Sequence, residues 1–191
     1  VDLAHVSPGT MSDVLDVAAA PVIFSHSSAR ALVDVPRNVP DSILARLPKN
    51  GGVVMVTFVP GFISTAITEW DRGARARMRE IRAATHDSAE VRRQFTEWRA
   101  AHPRPHATIA DVADHIEHVR KVAGVDHVGI GSDFDGVQET PEGLEDSSKY
   151  PYLFAELIRR GWSDADLRKL AGQNLLRAFH AWTCAAAPVH D

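Results

Sequence analysis

The sequence predicts an α/β fold built on a parallel sheet, and three observations lead there. Four short segments rich in β-branched residues lack polar alternation, as strands covered on both faces do. Helical periodicities lie between them, giving the order βα, βα, βα, βα. Side chains fit for acid–base or metal chemistry stand at the C-terminal ends of three of the four segments, which is the functional edge of parallel α/β folds.

The elements follow in order. Val1–Val6 reads as the middle of a buried strand, so the chain is expected to be the C-terminal part of a longer polypeptide. Ser12 is a candidate N-cap for a helix over Asp13–Ala19. Pro21–Ser25 is the second strand. Asp41 is a candidate cap for Ser42–Leu47, with Asn50-Gly51-Gly52 as the stop. Val53–Val59 is the third strand. Residues 64–108 are long for a connection and carry charged helical stretches at Glu69–Ala84 and Ser88–Ala101. They read as a helical insertion ended by His102-Pro103-Arg104-Pro105. Thr108 then caps a helix from Ile109 to Val122 that Gly124 stops. His127–Ser132 is the fourth strand and Pro151–Arg160 a helix. Ser163 caps a final helix from Asp164 to Trp182, with Leu167, Leu170, Leu175, Leu176 and Phe179 expected to face inward.

A length of 191 residues, with 45% hydrophobic and 24% charged residues, is that of one globular domain or part of a larger one. Residues 1–191 are read as a single domain. A net charge of −4 excludes a strongly basic nucleic-acid binder. No apolar run is long enough to span a membrane, and the first residues carry no signal-peptide pattern, which points to the cytoplasm. The single cysteine, Cys184, allows neither an internal disulfide nor a cysteine-based zinc site.

Four βα units fit either an open doubly wound sheet or half of an eight-stranded barrel. The polar residues favour the barrel. His5 ends the first strand, His26 the second and Asp133 the fourth, and the three meet on one rim only if the sheet curls. Taken singly, each has a plain structural use, as a hydrogen-bonded imidazole or a capping carboxylate. Together they supply what metal-assisted hydrolysis needs: neutral imidazoles that bind Zn²⁺ and a carboxylate able to take a proton from water. His115 and His118, spaced i, i+3 on the helix before the fourth strand, are expected to serve structural hydrogen bonds. The Asp133–Gly136 run lacks the glycine and terminal glutamate of a calcium loop.

The segments VDLAHVS (1–7), PVIFSHSSA (21–29), PRNVPD (36–41), ADHIEHV (113–119), HVGIGSDFDGV (127–137), PEGLEDSSKYP (141–151) and GQNLLRAF (172–179) carry a resemblance. The chain resembles the C-terminal half of the membrane (renal) dipeptidase family, peptidase family M19, of the amidohydrolase superfamily. That resemblance implies strands five to eight of a TIM-type (βα)8 metal-dependent hydrolase barrel and a site with two Zn²⁺ ions. It also implies cleavage of dipeptides, including some with a C-terminal D-residue, by a zinc-bridging hydroxide. By position, His5 and His26 would be the two histidines on one zinc, and Arg37 the partner of the substrate's terminal carboxylate. Asp133 would be the carboxylate that takes the proton and meets the substrate amine. Homodimers are common in the family. Its remaining metal ligands precede residue 1, so the N-terminal half of the barrel is expected in the same or another chain, and the 191 residues alone are expected to be inactive. The rival readings are another amidohydrolase, such as a deacetylase or lactonase, and a non-catalytic half-barrel.

Overall fold

In the computed structural model, which describes residues 1–185, three short strands form one parallel sheet. They are β1 (Ile23–Phe24), β2 (Val53–Val56) and β3 (Val128–Ile130), and they lie side by side in chain order. Ile23 and Phe24 pair with Val53 and Val54. Val54, Met55 and Val56 pair with Val128, Gly129 and Ile130. All four residues of β2 are buried, as expected for a strand covered on both faces.

The expected first strand is reduced to a single bridge, between Asp2 and Ile23. Leu3 N–H donates to the Ile23 carbonyl at 2.8 Å and Ile23 N–H donates to that of Val1 at 2.9 Å. The segment occupies the strand position, and pairing then stops because the chain turns at Ala4-His5, where His5 is left-handed. The other three expected strands end earlier than predicted for a related reason. Beyond Phe24, Val56 and Ile130 the chain bends into the loops that carry the polar residues.

The sheet is strongly curled. A Cβ built on Gly131 would lie 2.0 Å from the Ser25 carbonyl and 2.8 Å from Met55 Cβ. Ser25 and Gly131 follow β1 and β3, the two strands on either side of β2. Across a flat sheet such neighbours stand about 9–10 Å apart, two strand spacings. Only a residue without a side chain allows their close approach here.

Helix α1 (Pro8–Val17) starts earlier than predicted. Pro8 is pre-set for the first helical turn and Ser7 caps it by accepting from Thr10 N–H at 3.2 Å. Ser12 therefore lies inside the helix and accepts from Arg46 instead, at 2.9 Å. In α2 (Asp41–Leu44) the cap position is Pro40, and Asp41, already helical, accepts from His118 at 2.8 Å. The short α3 (Leu47–Asn50) ends on left-handed Gly51, at the predicted stop.

Between β2 and the next core helix come α4 (Pro60–Ile63), α5 (Thr65–Ala84) and α6 (Ser88–Ala101). The last two match the charged helical stretches expected there. Helix α7 (Ile109–Ala123) has a capping box in which Thr108 and Asp111 bond each other's backbone N–H groups. It buries Val112, Ala113, Ile116, Val119 and Ala123 against the sheet. Val112, Ile116 and Val119 contribute about 1.5–3 kcal/mol each and the alanines less, together enough to set the helix's orientation. Helix α8 (Tyr150–Arg159) follows β3 and buries Leu153 and Leu157.

The expected last helix is broken. Helix α9 (Asp164–Arg168) runs into a wide turn, Lys169–Gln173, with non-helical Gly172, before α10 (Asn174–Ala185). The break changes the phase of α10. Asn174 Nδ2 donates to the Val125 and Val128 carbonyls at 2.7 and 2.8 Å, and Arg177 donates to those of Gly51 and Asp126. These bonds lay α10 across the N-terminal ends of the strands, with Ala178 against Val53 and Met55. Leu170 is buried and Leu167 and Leu175 are partly so, but Leu176 and Phe179 turn outward, 57% and 45% exposed, contrary to the sequence expectation. Among the described residues no helix is long and apolar enough to cross a membrane.

His115, on α7, accepts at Nδ1 from Ala29 N–H at 3.0 Å and is buried. Burial holds its pKa down to about 4. Above pH 6.5 it is neutral folded or unfolded. As pH falls from there toward 4, the unfolded chain gains a proton that the folded chain refuses. Stability should fall by about 2–3 kcal/mol between pH 7 and 4.5 on this account. Urea unfolding of the parent and His115→Gln at both pH values checks it, and the variant should lose markedly less.

Candidate functional site

The site stands at the C-terminal edge of the sheet, where the loops after β1, β2 and β3 meet the turn at Ala4-His5. His5 and His26 face each other with Nε2 atoms 2.8 Å apart and ring planes at 63°. His26 is oriented through a short relay. Asp2 Oδ1 accepts from Ser25 N–H at 3.1 Å and from Ala4 N–H at 3.0 Å, and the Ser25 hydroxyl contacts His26 Nδ1 at 2.8 Å. If Nδ1–H donates to the hydroxyl, Nε2 presents its lone pair to the rim. Such a partner on the far ring nitrogen fixes the tautomer of metal-ligating histidines.

His5 and Asp133 are the non-glycine residues with positive φ among those described, at 73° and 63°. A left-handed conformation costs an L-residue about 1–2 kcal/mol. Strain of this kind collects where side-chain placement matters. The Asp133 loop is braced from beneath by an aromatic cluster, with Phe58 edge-on to Phe134 and to Tyr150 at 5.8 and 6.0 Å. Tyr150 also bonds the buried Ser132 hydroxyl. The Asp133 carboxylate accepts no hydrogen bond from the described residues. It lies over Gly136, where a Cβ would fall 2.4–2.6 Å from its Oδ1, Oδ2 and Cγ atoms.

Arg37 comes from the loop between β1 and α2. Its guanidinium lies over the Phe62 ring, 5.4 Å from the centroid, and its Nη1 is buried with no hydrogen-bond partner. The neighbouring Asn38 is fully buried and donates to the Val33 and Phe62 carbonyls at 2.9 and 2.8 Å, fixing the loop. A buried, unpaired guanidinium N–H is costly unless something accepts from it.

The charges act on one another. The Arg37 guanidinium, then burial and the His26 ring, holds His5 below the usual histidine range against the pull of Asp133 and Asp2. Burial draws Arg37 down from its ordinary value, opposed by Asp133 and Asp2. Burial would raise the Asp2 carboxyl, but hydrogen bonds from Ser25 and Ala4 outweigh it and leave the group below its ordinary value.

Two converging imidazoles are a suitable start for a zinc site. Tetrahedral zinc, with bonds of about 2.0–2.1 Å, holds two nitrogens about 3.3 Å apart, so the pair needs to open by only about half an ångström. The set is incomplete. Among the described residues no three His, Cys, Asp or Glu groups come together as a metal cluster. His115 and His118 lie away from the rim and are used structurally, by Ala29 N–H and by Asp41.

The structure thus places His5, His26, Arg37 and Asp133 at one edge. Sequence reasoning missed Asp2, Asn38, Phe62 and Tyr150. Asp2 stands three residues before His5, and Asn38 beside Arg37, but their roles depend on which carbonyl or amide the fold brings near.

A family model described as membrane dipeptidase, peptidase family M19, matches residues 1–190. An uncharacterized dipeptidase from Schizosaccharomyces pombe is 40% identical over 192 residues, covering all of this chain and 38% of that protein. The crystal structure of the probable dipeptidase PvdM from Pseudomonas aeruginosa superimposes with a TM-score of 0.77 at 30% identity, over 97% of this chain and 50% of that one. A metallopeptidase from Rhodobacter sphaeroides, liganded with a phosphinate mimic of the dipeptide L-Ala-D-Ala, gives a TM-score of 0.70 at 26% identity, over 94% of this chain and 41% of that one. The chain therefore spans about two fifths to one half of the length of these relatives.

The ring geometry is directly testable. Co²⁺ added to the protein should broaden the NMR signals of the His5 and His26 side chains and spare those of His115. Broadening at His115 with the rim pair unaffected would move the metal elsewhere.

Proposed function

This chain belongs to the membrane dipeptidase family, M19, a family of metallopeptidases, and on that premise we propose that it supplies one side of a zinc-dependent dipeptidase site. We read it as the C-terminal half, strands five to eight, of a (βα)8 barrel, with residues 64–108 as a helical insertion. Strand order equal to chain order supports this, as does the curl that brings Ser25 against Gly131. A doubly wound sheet reverses its strand order at a switch point.

The single observation that carries the reading is Arg37 Nη1, buried and unpaired beside two converging imidazoles and an unbonded carboxylate. A dipeptide offers what each group lacks. Its terminal carboxylate satisfies the Arg37 fork, whose planar donors suit it. His5 and His26 would hold one zinc of a pair, with the other ligands supplied by the rest of the barrel. The chemistry zinc supplies when bound is Lewis-acid polarisation of the peptide carbonyl and a water whose pKa falls to about 7. Asp133 accepts the proton lost by the attacking water and returns it to the leaving amine. It accepts no hydrogen bond from the described residues, which keeps both oxygens available.

A deacetylase or lactonase on the same scaffold would have no carboxylate for Arg37, so substitution there separates the readings. In the natural full-length polypeptide, Arg37→Met should raise KM for dipeptides about 30- to 1,000-fold, the loss of a charge-assisted bidentate contact. An amide substrate without the free carboxylate should be affected much less. Asp133→Asn keeps the side chain's size but cannot take a proton. It should lower kcat by roughly 10²–10⁴ with zinc content unchanged. Near-normal kcat in that variant with full zinc would remove the proton-transfer role from Asp133.

A further inference from the structure

We propose that a second cleft at the same edge, walled by α5 and α6, receives the side chain of the dipeptide's C-terminal residue, and that Arg99 on its lip selects an acidic one. The proposal rests on the dipeptidase reading, in particular on Arg37 as the partner of the substrate's terminal carboxylate.

The cleft measures ≈ 420 Å³. Its walls come from Val59 and the α4 residues Pro60 and Phe62 that follow β2, from the two helices (Trp70, Phe95) and from the segment after Asp133 (Val137). That volume is ample for any single side chain and lies in the range of small-ligand pockets. Phe62 belongs to both sites. Its ring carries the Arg37 guanidinium and also lines the cleft. A substrate whose carboxylate meets Arg37 therefore has its C-terminal Cα close to the Phe62 ring. From there its side chain has the cleft to enter.

The cleft is built rather than accidental. Arg104 spans it, donating to Asp71 at 3.1 and 3.3 Å and pairing with Glu139, while lying 5.7 Å from the Trp70 ring centroid. Trp70 Nε1–H donates to the His102 carbonyl at 2.8 Å, and Trp98 stacks on Phe95 and His102. These contacts tie the helical segment to the loop that carries Asp133.

They also decide the charge that a ligand meets. Asp71, Arg104 and Glu139 satisfy one another. Arg99, which lines the cleft and is exposed, forms no ion pair among the described residues. Apolar walls with an uncommitted guanidinium at the lip suit a short methylene stem ending in a carboxylate, the side chain of glutamate. Partial exclusion of water by the bound dipeptide strengthens that contact beyond an ordinary surface pair.

The test uses the natural full-length enzyme with zinc and three dipeptides, Ala-Glu, Ala-Gln and Ala-Ala, each with the C-terminal residue in either configuration. Glutamine matches glutamate in shape without the charge. We expect kcat/KM for the better Ala-Glu isomer to exceed that of the matching Ala-Gln by about 10-fold, and Arg99→Gln to bring the ratio to within about 2-fold of unity. Phosphinate mimics of the same dipeptides should show the same ratio, and the same collapse, in their binding constants. A parent enzyme indifferent to Glu against Gln, or a ratio that survives Arg99→Gln, overturns the subsite while leaving the dipeptidase reading standing. Failure to cleave any dipeptide, in either configuration, overturns both.

Discussion

The close approach of Gly131 to the Ser25 carbonyl is the constraint on which the site depends. A side chain at 131 would drive the ends of β1 and β3 apart, and those ends carry His26 and Asp133. Curl, not sequence proximity, makes neighbours of Ser25 and Gly131, 106 positions apart. The requirement is met from both sides of β2, since Met55 also packs against the face that lacks side chains at Gly129 and Gly131. The narrow angle of the sheet is a property of backbone packing. The reactive groups inherit it.

Around this curl the chain spends stability on placement. Two left-handed non-glycine residues and a buried unpaired guanidinium nitrogen are each unfavourable alone. They are tolerated because the core beneath is continuous. Leu3, Phe24, Val54, Val56 and Val128 join α7 and α8 in one cluster. The electrostatics have the same character. Arg37 suppresses protonation of His5, and a neutral imidazole is the form that can donate a lone pair to a metal. The Arg37 guanidinium thus favours the neutral form of the imidazole beside it, the form the proposed metal site requires.

Much of this was legible in the sequence because it is written in short-range patterns. Apolar runs without alternation located β1, β2 and β3. The Thr108 cap and the Gly124 stop bounded α7 to within one residue. Strand-end positions singled out His5, His26 and Asp133. What was missed depends on long-range geometry. The first strand was overestimated because a run of apolar residues does not reveal that His5 turns left-handed. The inward face of the last helix was misassigned because the periodicity was carried through Gly172, where the helix breaks and its phase changes. Asp2 and Asn38 could not be distinguished from ordinary polar residues, since their value lies in the amides and carbonyls of Ser25, Val33 and Phe62.

Gly136 shows how a residue can be constrained by its neighbour's needs. Its own backbone is not in the left-handed region, so nothing in its torsions forbids alanine. The space its missing side chain leaves is filled by the Asp133 carboxylate. An alanine there would fold, and would displace the Asp133 carboxylate, the proton carrier of the proposed reaction. In a survey of tolerated substitutions such a position would pass a screen for folding and fail a screen for turnover. A turn-forming glycine would fail both. That divergence between the two screens would mark the carboxylate's resting place without any ligand having been seen.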